Sequence, residues 1–558
     1  MKTIKIKIII VFALLFQLTS CLDLNELNVD PNNPVNVSSN YILTYVLTGT
    51  AKTYKSLGDH KTGVAGVMQY NQMGTNDGMP EVNQYLWTAG SWAGYYDLLR
   101  NVEIINKKSI TEGNKFFEAI SLTLRAFLFG TLTDLFGDIP YSESLQATQG
   151  IYFSKYDDQK NIYKGVLEDL KNAESILGDA GIINYKIAPS ADLMYAGDAA
   201  KWRKFANSLR LRYCMRLINK KTDMNAIGVD LVAEFNAASA QAFVSNSDDA
   251  VVNYLGTTAS NSAKGGLLNT SNPEYQTKPC KTIVDKLKTI NDPRLHRWAI
   301  PVQTKWDFNV STEKDVIVKN WFGETFTVKI MPTTNTSLDT SLYVGMPANI
   351  ALFDAQQYNK GNGPTFPQPE RSPYISYLHS RFRANSDPYI KMDLMMYSEV
   401  EFLLAEAAQR GGFSVSGPEG HYKNGILASM KRWGITDGAN GFNFNTYYSN
   451  SKVSYSGVSN TLERIIEQKW ISSWLNVESW FDYRRTGYPA LVVGPVTQYG
   501  KALPLRFMYP VPSQDPKYLV NYNEAVNKLE TTSFVPTGQS KDHTYSRMWL
   551  LQGTGKPW

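Results

Sequence analysis

Aromatic rings mixed with amide side chains occur in two stretches of the sequence, and such a mixture can hold a sugar or a peptide without catalysis. The first stretch is Tyr70 to Trp87, and the second lies in the middle of the chain, within residues 306–343. An aromatic ring can cover the apolar face of a sugar while amides bond its hydroxyl rim. The candidate ligand residues are Tyr70, Asn71, Asn83, Trp87, Trp306, Trp321 and Tyr343.

Trp87 and Trp321 are the first choices within this set, because rigid scaffolds display ligand residues on loops. For every aromatic residue of the set, packing inside its own loop is the alternative. Trp87→Ala or Trp321→Ala is therefore predicted to weaken ligand binding and to leave folding nearly intact. A large loss of thermal stability would instead mark that ring as part of the core.

Motifs of the common enzyme classes are missing from the sequence. There is no G-x-S-x-G elbow, no H-E-x-x-H, no P-loop and no dinucleotide fingerprint. Paired carboxylates occur at Asp157-Asp158 and Asp248-Asp249, but acids are too common to imply glycoside hydrolysis. The five histidines are scattered singly, so no metal ligands and no catalytic residues are predicted. Calcium in the loops is left open.

Cys21 is predicted to carry a lipid. A basic start precedes the apolar run Ile8 to Phe16, which suits a signal-peptide core and is too short to span a bilayer. Leu18 at −3 and Ser20 at −1 resemble the lipobox at which bacterial signal peptidase cuts before a diacylglycerol-bearing cysteine. Residues 1–20 are thus read as a signal peptide. An ordinary secretory signal with a chance cysteine is the alternative.

Charge and cysteine content narrow the classes further. Without the three lysines near the N-terminus, 53 basic residues face 51 acidic ones, so nothing supports nucleic-acid binding. Cys214 and Cys280 could form a disulfide in an exported protein, but nothing in the sequence brings them together. Two separate thiols are the favoured prediction.

Amphipathic stretches must position the candidate residues. Residues 21–40 are rich in Pro and Asn and predict a flexible tether. Helical periodicity dominates about 41–244 and 388–490, whereas about 245–387 predicts loops and short strands such as Asp315 to Val318 and Thr325 to Ile330. The fold class is mainly α, with helix pairs stacked in the tetratricopeptide manner around a loop-rich insert.

Several residues within the helical stretches are interpreted as structural. Trp202, Trp470, Trp474 and Trp480 have core spacing. Glu406 is predicted to be a satisfied buried carboxylate, and Arg484-Arg485 to pair with acids or helix carbonyls. Ser398 with Glu401 is predicted as a capping box, and Asn460 as the cap of a later helix.

Five segments together resemble the SusD/RagB family of outer-membrane nutrient-binding lipoproteins, in order and spacing across nearly the whole mature chain. These segments are Leu132 to Tyr141, Lys201 to Arg210, Tyr397 to Ala407, Ile465 to Pro489 and Arg506 to Pro512. The resemblance implies one domain over residues 41–558, with four tetratricopeptide-like helix pairs and a looped region that helps to build the ligand site.

The same resemblance implies a function. Members of the family cap a SusC-like TonB-dependent transporter and deliver nutrients, most often glycans and sometimes peptides. This chain is therefore expected to be a non-enzymatic binding protein without a cofactor, lipid-anchored at the outer membrane and facing outward. A lipid-anchored hydrolase and a structural or assembly lipoprotein are the alternatives.

Overall fold

A computed structural model describes residues 37–59, 63–73, 85, 87, 89–263, 277–366, 371–495, 502–510 and 514–556. Cys21 and Asn83 lie outside the described residues, as do the predicted signal peptide and most of the tether. Helices are the main element of the described chain, and the predicted mainly α class with a loop-rich, strand-bearing insert is confirmed.

Twelve helices of nine or more residues form the scaffold of the described chain, and short helical turns connect them. These are α1 Ser39–Asp59, α2 Ala93–Glu112, α3 Lys115–Phe136, α4 Gln159–Gly178, α5 Ala199–Arg216, α6 Leu231–Ser239, α7 Lys281–Thr289, α8 Tyr397–Arg410, α9 Pro418–Arg432, α10 Thr461–Ser472, α11 Glu478–Thr486 and α12 Pro516–Asn527. Shorter helices span Val64–Val67, Lys221–Ala226, Leu295–Trp298, Leu352–Gln357 and Phe444–Tyr448.

Helix α3 lies at the centre of the N-terminal half. Asn114 caps it by accepting a hydrogen bond from the backbone of Phe117, and Gly137 ends it with φ 96°. It is long and apolar enough to cross a membrane, yet 89% of its apolar window is buried. This helix is therefore a core helix, buried between its neighbours.

Successive helices pack on each other as stacked pairs. Helices α1 to α6 form one continuous series in chain order, and α8, α9 and α10 form a second group. The two groups meet where α5 packs on α8. Each helix pair cannot bury its apolar face alone, so stacking is what creates the continuous core.

The cap predicted for α8 is wrong. The helix begins at Tyr397, and no side chain caps it locally. Asp249, distant in sequence, accepts the Tyr397 backbone N–H at 2.7 Å instead. Ser398 lies inside the helix and accepts a hydrogen bond from Ser472 at 2.9 Å. By contrast, Asn460 caps α10 as predicted, accepting from Glu463.

Nine short strands connect or extend the helices within the described residues. They are β1 Asn71–Met73, β2 Ile139–Pro140, β3 Tyr156–Asp157, β4 Ala250–Val252, β5 Thr277–Pro279, β6 Thr304–Asp307, β7 Lys314–Lys319, β8 Thr325–Pro332 and β9 Met392–Met395. Strand β8 pairs with β7 in an antiparallel hairpin and with β6 in parallel. Strands β1 and β5 pair with each other, as do β2 with β3 and β4 with β9.

The segment before β1 is held by the far end of the chain. The hydroxyl of Tyr70 donates to the carbonyl of Trp470 at 2.6 Å, and the indole of Trp470 donates to the carbonyl of Met68 at 3.0 Å. The two rings stack with centroids 5.5 Å apart. Helix α10 and the start of β1 therefore form one packed unit.

The structural assignments made from the sequence are confirmed. All four tryptophans assigned to packing are buried. Glu406 is buried and pairs with Arg485 and Arg410. Arg484 donates to the backbone carbonyls of Leu505 at 2.7 Å and of Asp134 at 2.8 Å. The thiols of the two cysteines in the described chain are separate, free and buried.

Candidate functional site

The described residues of the first aromatic stretch contact the loop-rich insert. Strand β1 pairs with β5, so Asn71 opposes Pro279 inside that insert. Further along, the hydroxyl of Tyr85 donates to the Asn349 amide oxygen at 2.8 Å, and the Asn349 backbone N–H donates to Gln72 at 3.2 Å. Residues 71–73 and Tyr85 therefore pack against the insert.

The turn of the β7–β8 hairpin presents two aromatic rings at this insert. Trp321 and Phe322 are both partly exposed. The amide oxygen of Asn320 accepts the backbone N–H groups of Phe322 at 2.9 Å and of Glu324 at 3.1 Å. Gly323 completes the turn with φ 80°, where a side chain would be strained. The turn is therefore fixed by its own sequence, Asn-Trp-Phe-Gly-Glu.

Arg297 forms the floor under the hairpin turn. Its guanidinium lies 3.4 Å from the ring centroid of Phe322 and 4.4 Å from that of Tyr389, a cation–π arrangement on two rings. Its Nε donates to the carbonyl of Trp433 at 3.1 Å, which anchors the group to the end of α9. The hairpin thus rests on the helical scaffold through one arginine.

A charged group closes the other side of the turn. Glu324 lies 3.1 Å from His379 and 3.3 Å from Arg381, and Arg381 also pairs with Asp387 at 3.4 Å. Burial would raise the pKa of Glu324, but hydrogen bonds from His379 and Asn320 hold it below its ordinary value. Arg381 balances one of the two carboxylates and the cation of Arg297 under the same turn balances the other, so these groups fix the turn instead of attracting a charged ligand.

Tyr343 lies behind Trp321 and is buried. Its hydroxyl is 2.7 Å from Nδ1 of His296, and the rings of His296 and Trp321 are 6.1 Å apart. Burial lowers the pKa of His296 to about 4, so the imidazole is neutral at neutral pH. Trp321 is therefore backed by an uncharged imidazole–phenol pair.

The remaining candidate residues occupy different surroundings. Tyr70 and Asn71 are fully buried. Trp306 is buried too, stacked on Tyr374 with its indole donating to the Asn359 carbonyl at 2.8 Å. Trp87 is partly buried and meets the edges of Trp480 and Phe507.

Partial exposure distinguishes Trp321 and Trp87 from the other described candidates, whose side chains face the interior. The ligand assignments themselves stay predictions. Sequence reasoning did not select Arg297 or His296. Both residues lie on the short helix Leu295–Trp298, which meets the hairpin only in the folded chain. No local pattern in the sequence predicts that contact. Within the described ranges, no group of three or more His, Cys, Asp or Glu could hold a metal ion.

Solved structures share this architecture. A SusD homologue from Bacteroides fragilis matches with a TM-score of 0.71 at 22% identity, over 92% of this chain and 100% of its own. A Bacteroides vulgatus outer-membrane protein, described in terms of nutrient binding, matches with a TM-score of 0.67 at 25% identity over 92% and 100%. A chitin-binding protein matches with a TM-score of 0.67 at 22% identity over 92% and 99%. These likenesses show the common fold.

The sequence itself also matches a family model. A search of curated proteins found no match. The model described as "Starch-binding associating with outer membrane" matches residues 31–323 and 329–510, which is most of the chain. The match extends through both scaffold groups and includes Trp321, whereas residues 324–328 of the hairpin are not matched. The chain belongs to this SusD-like family of nutrient-binding proteins associated with the outer membrane.

Proposed function

We propose that this protein captures a neutral oligosaccharide at the hairpin turn of β7–β8 and passes it unaltered to a TonB-dependent transporter. The observation that carries the proposal is the pair of partly exposed rings, Trp321 and Phe322, on a turn held rigid by Asn320 and Arg297. Preformed aromatic surfaces lose little conformational entropy when a ligand binds.

The surroundings of Trp321 suit a sugar better than an ion. Its ring can stack on the apolar face of a pyranose while carboxylate and amide groups at the turn accept hydroxyl hydrogens. The cations of Arg381 and Arg297 balance the carboxylates of Glu324 and Asp387, so little net charge remains to select a charged ligand. The imidazole of His296 is neutral for the reason given above. A neutral, hydroxyl-rich ligand matches this balance.

The decisive experiment measures maltoheptaose binding by calorimetry for the wild type, Trp321→Ala and Phe308→Ala. Phe308 is 49% exposed and follows β6 of the same sheet, so it controls for removal of an exposed ring. We expect Trp321→Ala to weaken binding at least tenfold and Phe308→Ala to leave it within twofold. Unchanged binding by Trp321→Ala would contradict the proposed site. Binding of tryptic peptides but no oligosaccharide would replace the glycan with a peptide.

Delivery to a transporter is tested separately. The native protein is isolated in mild detergent and its partners are identified by mass spectrometry. Recovery of a TonB-dependent barrel in near-equal amount supports delivery, and recovery of envelope-assembly proteins alone would favour a structural role. Because tethering raises the effective concentration of a ligand trapped between two proteins, modest affinity at Trp321 is sufficient for this role.

Anchoring at the outer membrane through a lipid on Cys21, with the body facing outward, is part of the same proposal. Its support is the lipobox-like sequence before Cys21 together with the family's association with the outer membrane. Cells fed radiolabelled palmitate should label the wild type and not Cys21→Ser. Protease added to intact cells should digest the wild type if the body faces outward.

A further inference from the structure

A second aromatic cavity lies outside the insert, in the helical scaffold. It encloses about 300 Å³, the lower end of the range of about 300–1,000 Å³ that small-molecule sites occupy. Four separate segments build it: the start of α2, the β2–β3 connection, Pro510 and α12. Its lining residues are Trp92, Tyr96, Pro140, Ser144, Leu145, Tyr152, Ser154, Tyr156, Pro510 and Tyr518.

This lining has no charged side chain, which distinguishes it from two other cavities of the described chain. One of these, of about 380 Å³, is lined among others by Lys201, Asp249, Asp387 and Lys391. The other, of about 210 Å³, is lined among others by Asp138, Asp158, Lys160 and Lys528. An ion would find no counter-charge in the aromatic cavity. Its chemistry selects a neutral ligand that combines apolar faces with hydroxyl groups.

The rings of the cavity are arranged as walls. Trp92 meets Tyr156 at 5.5 Å and Tyr96 at 5.9 Å, both nearly edge to face. On the outer side Tyr152 is 63% exposed and Tyr518 is 44% exposed. Large exposed rings are costly to leave in water and are a common means of gripping sugar faces. The tyrosine and serine hydroxyls supply acceptors beside these faces, while those of Tyr96, Ser144 and Ser154 donate within the protein.

The walls are held in place by hydrogen bonds between the segments. The Asn521 amide on α12 donates to the carbonyls of Phe153 at 2.9 Å and Ser154 at 3.0 Å. The hydroxyl of Tyr96 on α2 donates to the carbonyl of Pro140 at 2.6 Å. Because these bonds involve no ligand, the cavity is preformed, and binding would not have to order its walls.

We infer that this cavity, lined by Trp92, Tyr152, Tyr156 and Tyr518, is a second binding site for a sugar ring of a neutral oligosaccharide. It is separate from the hairpin site, since none of its lining residues belongs to the insert. A chain long enough to reach both would be held at two points, which raises the overall affinity without new contacts at either.

The test uses the full mature chain labelled with 5-fluorotryptophan, followed by fluorine NMR during titration with maltoheptaose. The resonances of Trp92 and Trp321, assigned with Trp92→Phe and Trp321→Ala, report on the two sites separately. We expect the Trp92 resonance to shift with saturation in the wild type and also in Trp321→Ala. In Tyr152→Ala/Tyr518→Ala the midpoint of that titration should rise at least tenfold.

The matched control is Tyr41→Ala/Tyr45→Ala, which removes two exposed tyrosines from α1 that lie outside the cavity lining. It should leave the Trp92 titration unchanged, and Tyr152→Phe/Tyr518→Phe should keep most of the binding because the rings remain. A stationary Trp92 resonance while Trp321 shifts would overturn the second site and leave the proposed function standing. A shift of Trp92 alone would do the reverse. A response of Trp92 to hexaproline in place of maltoheptaose would overturn the sugar assignment.

Discussion

Arginine serves opposite purposes in the scaffold and at the hairpin. In the scaffold, Arg212 donates two hydrogen bonds of 2.7 and 2.8 Å to Glu399 and lies 3.5 Å from Glu478. All three side chains are buried. At the hairpin, Arg297 lies flat against the rings of Phe322 and Tyr389 and makes no carboxylate pair with a described residue. The first arrangement uses direction and charge, whereas the second uses the planar face of the guanidinium.

The difference teaches how rigidity and recognition are divided within one chain. Buried charges are expensive to desolvate and tolerate only one geometry, so the network of α5, α8 and α11 fixes how the helices meet. Rings on a half-exposed turn carry no charge to desolvate and can stack on different faces of a ligand. The scaffold is therefore specified by charge and the candidate binding surface by shape.

The most disruptive test of this division is Arg212→Met. It removes the cation paired with Glu399 and leaves a buried carboxylate without it, which costs about 3–5 kcal/mol of unfolding free energy. Urea denaturation measures the change. The control is Arg100→Met, which breaks an exposed pair with Asp97 and should change stability by less than about 1 kcal/mol. Equal effects of the two variants would contradict the division.

A pair of tryptophan variants separates core rings from surface rings inside the insert. Trp306→Ala removes a buried ring stacked on Tyr374 and should cost about 3–5 kcal/mol. Trp321→Ala removes a partly exposed ring and should cost about 1–2 kcal/mol while binding is lost. Trp87→Ala should fall between them, because its ring packs on Trp480. Thermal denaturation ranks the three, and a Trp321→Ala protein as unstable as Trp306→Ala would place Trp321 in the core.

Acid should weaken the scaffold through its carboxylates. Burial would raise the pKa of Glu406, but Arg485 and Arg410 hold it below the ordinary value of about 4.3. A carboxyl with a lowered folded pKa stabilises the protein above its unfolded pKa, and this contribution is lost as the pH falls through the folded value. Between pH 5 and pH 3, Glu406→Gln should therefore lose less unfolding free energy than the wild type. Guanidinium unfolding at the two pH values measures the loss, and an equal loss in the variant and in the wild type would contradict this account.

A pH effect of opposite sign is expected at Asp249, which precedes β4 and caps the start of α8. Burial raises the pKa of Asp249 to about 6, so the folded protein takes up a proton there between about pH 4 and 6 and is destabilised as the pH rises through that window. Asp249→Asn keeps an acceptor for the Tyr397 N–H and removes the charge. It should raise stability by about 1–3 kcal/mol at pH 8, since each pKa unit corresponds to about 1.4 kcal/mol, and give no gain at pH 4. A gain of equal size at both values would exclude the titration.

The helices of the scaffold could be predicted from the sequence because the signals that specify a helix are local. The 3.6-residue period, the Asn460 cap and the core spacing of Trp202 are all encoded within a few residues. The cap of α8 could not be predicted in this way, because the acceptor, Asp249, lies 148 residues earlier in the sequence.

The candidate site could be predicted only in part, because several of its contacts join residues that are distant in sequence. The polar and aromatic composition of the hairpin turn is local, and it identified Trp321. The burial of Trp306 depends on a partner from another segment, Tyr374. The floor formed by Arg297 likewise depends on which elements meet across the fold, and no periodicity records that. The boundaries predicted for the scaffold and the insert stay predictions.

The contacts between Met68, Tyr70 and Trp470 have a consequence for how the chain reaches its folded state. Residues about 400 positions apart must meet before the start of β1 is held. Contacts of such sequence separation form late, because the loop between them must first close. The N-terminal segment that leads into the candidate site is therefore completed only after α10 exists, and a chain truncated before residue 461 would leave it unlocked. This segment can therefore make its folded contacts only in a chain that includes α10.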